Sequence, residues 1–551
     1  MGGVRISLQG EQGSGRVKHR GIWLALIPCF FASLLFGAFS NGSYHDDDLT
    51  HFLMARWVRW FPGYLVHIWG RPGLTIPLAA TAWIGDQSTG WHAARVLSSV
   101  ATAAGALAAA HIAMQLGVRR AWLVVAACYA QPLSAALSFT TLTENWMGMY
   151  LSVALLLLLR GRQVAASAIF SLTLVTRHEA LVLLLIWWIA MLLNKPARRG
   201  RWTAIGCSLW APVAHNLAFY AVFQDWPVAI FFAPRGSTEY PATGLLAYFP
   251  QALLAVSPVV AGLALFGGRE LFRRGSWLLP AMTGTYFVTQ VLIKAMGVFA
   301  SGGYGRFMVA VTPLVAVLAI VALEERFDRS GRIWPWMAGI WIIGWGAIEA
   351  ETSAGRILAG RSELLWIIRI VVFAAIGLIA AASHKRVERI VAGASTALVI
   401  IQLAIVVRPL RVLDEQKACI RVVQWLRDQN LDQQPLFITH PWLVHEMDLA
   451  EDPRAHKGPA LLASMPVGTI CVWDSKYSGS DFHKLALQGL MADREHYSFL
   501  HSVDGGGTRL AVFRKIAATP DREEAEGTYP VDLTSRRRPV RGIFYVRCEG
   551  G

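Results

Sequence analysis

The feature that most constrains this chain is a series of long apolar segments separated by short basic ones. The first apolar segment covers residues 22–39 and follows a polar, basic N-terminus, residues 1–21. A helix of roughly 20 apolar residues is enough to cross the ~30 Å hydrocarbon core of a bilayer. Over the whole chain 54% of the residues are hydrophobic and only 16% are charged, which excludes an ordinary soluble protein. The sequence therefore predicts an all-α protein that crosses the membrane many times.

The basic residues predict how these segments cross the membrane. Further apolar segments bring the expected total to about thirteen spans, and Lys and Arg fall in alternate loops, as the positive-inside rule requires of cytoplasmic loops. We therefore expect a plasma (inner) membrane protein with a cytoplasmic N-terminus and an extracytoplasmic C-terminal part. The net charge of +15 is spread over those loops, so it indicates topology and not nucleic-acid binding. The later spans are predicted at residues 92–116, 121–140, 145–159, 164–175, 181–193, 202–223, 245–266, 277–299, 307–323, 334–348, 364–382 and 390–407.

The pattern changes at the end of this transmembrane domain, residues 22–407. Residues 408–515 alternate short helical and strand patterns and predict a small α/β domain on the outer face. Residues 516–551 are charged and contain proline, and we expect them to be mostly disordered. The predicted strands are 435–439, 469–473, 497–503 and 509–513, and the predicted helices are 419–431 and 481–492.

A run of three aspartates, Asp46, Asp47 and Asp48, lies at the start of the first outer loop, residues 40–72. Adjacent carboxylates repel one another and are costly to desolvate. Asp48 is explained if it caps a helix that begins at Leu49, but capping does not explain Asp46, Asp47 or His51, which lies one turn beyond Asp47. A carboxylate supported by a histidine at a membrane surface is a candidate general base. A solvated loop is the alternative.

The rest of the first outer loop has features of a membrane surface. Residues 49–61 mix basic and aromatic residues in a pattern typical of a helix that lies in the interface plane. A turn follows that directs Arg71 back towards the membrane. Residues 74–84 are apolar but too short to span, so they predict a second interfacial or re-entrant segment.

Further ionisable side chains lie near the predicted outer ends of the spans. Such residues usually face a buried site or a water-filled cavity, although each can also snorkel from a helix end. The fork of Arg306 follows a glycine-rich run and suits a phosphate, with a tight turn between spans as the alternative. Arg177 and Glu179 could equally form a structural ion pair. The candidates are Glu144, Arg177, His178, Glu179, Lys294 and Arg306, with Arg235 and Glu239 in a long outer loop that is either a gate over the site or a plain solvated loop.

With these residues in view, the chain resembles the GT-C superfamily of integral-membrane glycosyltransferases. This superfamily includes protein O-mannosyltransferases (family 39-type proteins) and bacterial aminoarabinose transferases. The similarity is in the architecture of the whole chain and in two short motifs. Asp47-Asp48-Leu49-Thr50-His51 resembles the family's Asp-Glu motif, with Asp48 in place of the usual Glu. Gly303-Tyr304-Gly305-Arg306-Phe307 resembles an Arg-Tyr/Phe element before a late span.

The resemblance implies an inverting hexosyl- or pentosyltransferase of the cell envelope that uses a polyprenyl-phosphate sugar donor at the outer face of the membrane. Asp47 would be the general base, with Asp48 and His51 beside it, and the acceptor would be a lipid, a glycan or a protein. No cofactor would be required, although a magnesium or manganese ion on Asp46, Asp47 and Asp48 is an alternative. The donor phosphate would be bound by Arg177, Arg306 and Lys294, and the sugar or acceptor by Asp46, Glu144, His178, Glu179, Arg71, Arg235 and Glu239.

Other functions remain open. A lipid-linked oligosaccharide ligase or polymerase would use the same chemistry with a larger donor. A transporter or flippase would carry polar or broken helices near the middle of the bilayer, whereas the polar residues of this chain cluster near one predicted surface, which favours an enzyme. A scaffold whose outer domain binds a partner is the third alternative.

Overall fold

The computed structural model describes most of the chain, and its described part is mostly helical with two small sheets. Three of the described helices are long and apolar enough to cross a membrane, or four if one bent pair is a single span. The predicted spans 334–348 and 364–382, and part of 390–407, lie outside the described residues. The described residues are 15–193, 200–228, 242–297, 304–327, 393, 396–397, 399–404, 406–454, 457–480, 483–519 and 545–547.

The first part of the chain is built of helices, with 3-10 turns at Pro62–Val66, His178–Ala180 and Gly305–Val311. Most of the helices coincide with the apolar segments of the sequence. They are α1 Gly15–Ala38, α2 Asp46–Trp57, α3 Pro72–Ala82, α4 Gln87–Gln115, α5 Trp122–Tyr129, α6 Pro132–Leu137, α7 Thr143–Leu159, α8 Gln163–Thr176, α9 Leu181–Leu193, α10 Arg201–Cys207, α11 Trp210–Phe223, α12 Phe249–Val256, α13 Pro258–Arg273, α14 Leu278–Met296 and α15 Thr312–Phe327.

Some segments predicted as single spans are interrupted in the structure. Residues 121–140 form α5 and α6, which meet at Gln131 and Pro132, and residues 202–223 form α10 and α11. Residues 245–266 fall in α12 and α13, which meet at a bend of 95°. Proline lacks the N–H that would continue a helix and restricts the residue before it. Pro132 and Pro258 therefore begin new helices instead of continuing the old ones.

The chain divides into two compact units. Unit 1 comprises residues 1–36, 96–215 and 235–408, and unit 2 comprises residues 37–95, 216–234 and 409–551. Within unit 1, α13 packs closely against α15 at Gly267, where a β-carbon would lie only 1.8 Å from the carbonyl oxygen of Leu318. Only glycine allows this approach, which is the way membrane helices commonly pack.

In unit 2, α2 begins earlier than the sequence predicts. Asp46 is its first residue and His45 is its N-cap, so the prediction that Asp48 is the N-cap was wrong. The three aspartates instead occupy the first turn, where the helix dipole and the unpaired backbone N–H groups favour negative charge. Part of the cluster is therefore explained by its place at a helix N-terminus.

The structure also corrects the prediction of an amphipathic helix over residues 49–61. Helix α2 is buried on most of its faces, including Leu49, Phe52 and Trp57. Even Arg56 is buried, and its Nη1 donates to the carbonyl oxygen of Ala82 at 2.9 Å. The predicted interfacial segment 74–84 is α3, which packs against α2. Helix α2 therefore belongs to the core of unit 2, whereas α3 is buried on one face and leaves Ile76 and Trp83 exposed.

The C-terminal part of unit 2 contains a four-stranded sheet of order β1-β3-β5-β4, in which β1 and β3 are parallel and the other neighbours are antiparallel. The strands lie within a few residues of their predicted positions. The helix predicted at 419–431 begins earlier, and in the segment 481–492 the structure has a shorter helix, α19. In the predicted disordered tail, β6 pairs with β2. The elements are α16 Asp414–Asp428, β1 Leu436–Ile438, α17 Pro441–Glu446, β2 Leu449–Glu451, α18 Pro459–Ser464, β3 Ile470–Asp474, α19 Leu487–Ala492, β4 Tyr497–Gly505, β5 Thr508–Lys515 and β6 Tyr545–Arg547.

Candidate active site

The three aspartates at the start of α2 have different surroundings. Asp48 is fully buried, and its Oδ2 accepts from the backbone N–H of Tyr44 at 3.2 Å. The side chain of Asp46 is only 10% exposed, whereas that of Asp47 is 43% exposed. Asp47 is therefore the carboxylate of the three that is most accessible to a substrate.

A second histidine lies closer to Asp47 in the chain than the predicted partner His51. The Nδ1 atom of His45 lies 3.3 Å from the backbone nitrogen of Asp47, from which it accepts, and 3.5 Å from its Oδ2 atom. His51 is buried on α2, one turn beyond Asp47. His45 was not among the predicted site residues, although its N-cap position before an acidic first turn was a signal for it.

Asp46 contacts residues of the C-terminal part of unit 2. Its Oδ2 accepts from the Nζ of Lys476 and from the hydroxyl of Tyr477. The same ammonium donates to Glu415 Oε1 at 2.9 Å, and the Nε2 atom of His440 lies 2.9 Å from that oxygen. These contacts form a continuous polar chain from the first turn of α2 to α16, which we call the Asp46 cluster (Asp46, Glu415, His440, Lys476 and Tyr477).

The loop after β3 is shaped so that Lys476 and Tyr477 point to Asp46. Asp474, fully buried at the end of β3, accepts at Oδ1 from the backbone N–H groups of Lys476 at 3.0 Å and Tyr477 at 2.6 Å. Its Oδ2 accepts from Thr439 at 2.5 Å and from Ser478 at 3.1 Å. An aspartate that bonds the backbone two and three residues on is a common way to close a turn.

Charges in the Asp46 cluster stabilise one another. Burial acts to lower the pKa of the Lys476 ammonium, but Asp46 and Glu415 outweigh it and raise this pKa. Burial and the nearby Asp46 carboxylate raise the pKa of the Tyr477 phenol well above its ordinary value. Burial acts to raise the pKa of Glu415, but the bonds from His440 and Lys476 lower it to about 2. At neutral pH, Lys476 is charged and Tyr477 is protonated, so both donate to Asp46.

Arg95 holds the loop that leads into α2. Its Nη1 donates to the carbonyl oxygen of Ser40 and its Nη2 to that of Gly42, each at 2.6 Å, and its guanidinium lies 4.0 Å from the centre of the Trp91 ring. Arg95 is 2% exposed. Arg95 was not among the predicted site residues either, although a lone charge within the predicted span 92–116 was a signal for it.

Unit 1 contains a separate buried cluster, which we call the Arg177 cluster (Glu144, Arg177, Glu179 and Arg306). Arg177 donates through Nη1 to Glu144 at 2.7 Å and through Nη2 to Glu179 at 2.9 Å. The Nε atom of Arg306 lies 3.4 Å from the same oxygen of Glu144. All four side chains are at most 8% exposed. The predicted ion pair between Arg177 and Glu179 is present, and Glu144 joins both arginines.

The sequence places these four residues at helix ends. Glu144 lies in the first turn of α7, Arg177 and Glu179 follow α8, and Arg306 lies in the 3-10 turn before α15. The ring of Phe307 lies 3.8 Å from the Arg177 guanidinium and 5.5 Å from that of Arg306. Aromatic faces attract guanidinium groups, so this ring helps to fix both forks.

The other predicted site residues are placed differently. Lys294 is half-buried at the end of α14 and forms no ion pair with a carboxylate of the described residues. His178 is half-buried next to Arg177, and Arg71 has a φ of 62° at the N-cap of α3, with its guanidinium 6.0 Å from the Trp69 ring. Arg235 and Glu239 lie outside the described residues. Among the residues that the structure does describe, no group of three or more His, Cys, Asp or Glu side chains could hold a metal ion.

Comparison with known proteins shows the class of fold. No protein-family model and no curated protein matches the chain. Solved structures of the aminoarabinose transferase ArnT from Cupriavidus metallidurans, a GT-C family protein, do match. The apo structure has a TM-score of 0.58 at 11% identity and covers 90% of this chain and 98% of ArnT. The structure bound to undecaprenyl phosphate has a TM-score of 0.53 at 12% identity and covers 89% and 97%. The predicted resemblance to the GT-C superfamily is thus confirmed for the fold, which is that of an integral membrane protein.

Proposed function

We propose that this chain is a membrane glycosyltransferase that takes a sugar from a polyprenyl-phosphate donor. The observation that carries the proposal is the acidic first turn of α2, directly after the first apolar helix, in a chain whose fold is similar to that of ArnT over 90% of its length. One ArnT structure contains undecaprenyl phosphate, which supports a lipid phosphate of this kind as the carrier of the donor sugar.

Asp47 is the general base in this proposal. Its carboxylate is the most exposed of the three in the first turn, whereas Asp48 is fully buried and Asp46 is engaged by Lys476 and Tyr477. Asp47 accepts the proton of an acceptor hydroxyl while the hydroxyl oxygen attacks the anomeric carbon. The bond from that carbon to the phosphate oxygen breaks at the same time, the bonding electrons leave with the lipid phosphate, and the configuration inverts.

Arg306 is the residue that we assign to the leaving phosphate. Arg177 already donates to two carboxylates, so its charge is balanced within the Arg177 cluster. We therefore assign Arg177, Glu144 and Glu179 to holding the cluster in place, and Arg306 to the negative charge that develops on the phosphate. A preorganised guanidinium fork in a buried setting stabilises such charge strongly.

The predicted topology belongs to the same proposal. The N-terminus is cytoplasmic, and residues 408–515 form an α/β domain on the outer face of the plasma membrane. The acidic first turn then lies on the same side as the α/β domain, where a lipid-linked donor is presented in the outer leaflet.

The test is sugar transfer by the full-length protein in lipid vesicles, with a panel of radiolabelled polyprenyl-phosphate sugars and membrane acceptors. We expect transfer by the wild type and a loss of at least about 100-fold in Asp47→Asn, because a general base contributes this much or more. Asp414→Asn is the matched control, because Asp414 is also an exposed aspartate in the first turn of a helix, and it should keep wild-type transfer.

Two results would contradict the proposal. Equal transfer by the wild type and Asp47→Asn would remove Asp47 from the base position. Failure of every donor with a folded wild-type protein, or movement of the lipid across the vesicle without covalent change, would overturn the reaction class.

A further inference from the structure

Two donors from one turn meet a single carboxylate oxygen next to the proposed base. We infer that Lys476 and Tyr477 are positioning residues for transfer: they hold the Asp46 carboxylate and supply the counter-charge beside Asp47. This inference rests on the proposed function. It concerns residues that lie more than 400 positions from the aspartates in the sequence and that belong to the same unit.

The geometry supports a positioning role. Lys476 and Tyr477 reach the same Oδ2 atom of Asp46, and both are themselves fixed by the buried carboxylate of Asp474. Because consecutive Cα atoms are ~3.8 Å apart, holding the Asp46 carboxylate with two donors also restricts where its neighbour Asp47 can lie. The general base depends on such placement, since a small displacement of a catalytic group greatly reduces the rate.

The charge balance of the first turn supports the second part of the inference. The turn carries three carboxylates, and Lys476 is an ammonium in direct contact with one of them. Without it, adjacent carboxylates repel each other more strongly and hold protons to higher pH. Among the residues that the structure describes, the charged and titratable groups that face this turn are His45 and the three aspartates themselves, Lys476 and Tyr477 after β3, Glu415 and Cys419 on α16, His440 before α17, and Arg95 on α4.

The first experiment measures the pH dependence of kcat for the wild type and for variants that change the charge of Lys476 or Asp46. In Lys476→Met we expect the acid limb of the profile to move to higher pH by roughly half a unit to one unit, as expected for a half-exposed charge pair. Asp46→Asn should move the limb to lower pH. The double variant should return close to the wild type, because it removes one negative and one positive charge together. The KM for the donor should stay within about twofold throughout, because Asp46, which the sequence suggested as a sugar or acceptor ligand, is engaged by Lys476 and Tyr477, and Lys476 has no proposed substrate contact.

Conservative variants separate the charge from the position. Lys476→Arg keeps the positive charge and should leave the acid limb at its wild-type pH. Tyr477→Phe removes one donor but no charge, so it should lower kcat a few-fold without moving the limb. Lys417→Met is the matched control: Lys417 forms an exposed ion pair with Asp414, and its loss should change neither quantity.

The results that overturn the inference differ from those that overturn the proposed function. If Lys476→Met and Asp46→Asn still transfer sugar and yet keep the acid limb at its wild-type pH, that result would contradict the role of Lys476 as a counter-charge. A kcat of Tyr477→Phe equal to that of the wild type would contradict the positioning role of Tyr477. A wild type that transfers no sugar overturns the proposed function, and the inference with it. If Lys476→Met does not fold, Asp46→Asn and Tyr477→Phe decide the question.

Discussion

The Arg177 cluster and the Asp46 cluster both join acidic and basic side chains, but they differ in exposure. Every side chain of the Arg177 cluster is at most 8% exposed, and each guanidinium lies near an aromatic ring. In the Asp46 cluster, Lys476 is 39% exposed. In a buried, balanced cluster, the loss of one partner leaves an uncompensated buried charge and strongly destabilises the fold. Water screens the partly exposed charge of Lys476, so this charge contributes less to stability and can tune a neighbouring group.

The choice of cation matches this difference. The planar fork of Arg177 meets two carboxylates at once and lies against Phe307, an arrangement that an ammonium cannot reproduce. Lys476 instead brings a compact charge to Asp46 and Glu415 from an exposed turn. The comparison therefore predicts large stability effects in the Arg177 cluster and smaller, pH-dependent ones in the Asp46 cluster.

The largest effect is expected for Glu144→Gln. Arg177 and Arg306 would then both lose their contact with Glu144, although Arg177 would keep Glu179, and breaking a buried ion pair from one side typically costs about 3–5 kcal/mol. In detergent, the midpoint temperature of thermal unfolding should be much lower for Glu144→Gln than for the wild type. Glu270→Gln is the control, because Glu270 pairs with Arg273 and Arg274 at a more exposed site, where about 1 kcal/mol or less is expected. Equal stability of these two variants would contradict the comparison.

An intermediate effect is expected for Glu415→Gln, and it should depend on pH. The pKa of Glu415 is lowered from 4.5 to about 2, so its contribution is fully present above pH 4.5 and is lost as the pH falls towards 2. At neutral pH the variant should be less stable than the wild type by about 1–2 kcal/mol after solvent screening.

The measurement for Glu415 is unfolding of both proteins between pH 6 and pH 3. We expect the difference in the free energy of unfolding between the wild type and Glu415→Gln to decrease below about pH 4.5, since protonation then removes the charge of Glu415 from the wild type as well. Asp504→Asn is the control, because Asp504 forms an exposed ion pair with Arg509. Its stability should depend on pH in the same way as that of the wild type. If the difference in the free energy of unfolding between the wild type and Glu415→Gln stays constant between pH 6 and pH 3, Glu415 acts through packing alone.

The smallest effect is expected for Trp57→Phe, which tests another contact between α2 and the C-terminal part of unit 2. The indole N–H of Trp57 donates to the buried carbonyl oxygen of Leu449 at 2.8 Å. Its loss should lower the free energy of unfolding by about 1 kcal/mol. Trp83→Phe removes a similar bond, to Arg56 at 3.1 Å, from a 44% exposed side chain and should cost less. A larger loss in Trp83→Phe would reverse the order that burial predicts.

The Arg177 cluster was largely predictable from the sequence. Glu144, Arg177 and Glu179 are charged residues at the ends of apolar segments. A charge in that position usually pairs with an opposite charge or faces a water-filled cavity. The partner of each one was not predictable, because residues from different helices meet only after the helices pack. Lys294 carried the same signal as Arg306, yet only Arg306 lies beside Glu144.

The Asp46 cluster shows the opposite case. The three aspartates were visible as a motif, but Lys476 and Tyr477 lie in a polar turn after a strand, where such residues are ordinary. Glu415 lies in the first turn of α16, where an acidic residue is also ordinary. No local pattern marks these residues, and their only special feature is the contact with Asp46.

The sequence by itself determined the membrane class and the position of the acidic motif, because hydrophobicity and charge act over short distances along the chain, and its motifs carried the resemblance to the GT-C superfamily. The tertiary structure decided which aspartate is exposed, which glutamate joins two arginines and which cation meets Asp46. These outcomes depend on burial and on contacts between residues that are far apart in the sequence, and burial is a property of the packed molecule rather than of any one segment.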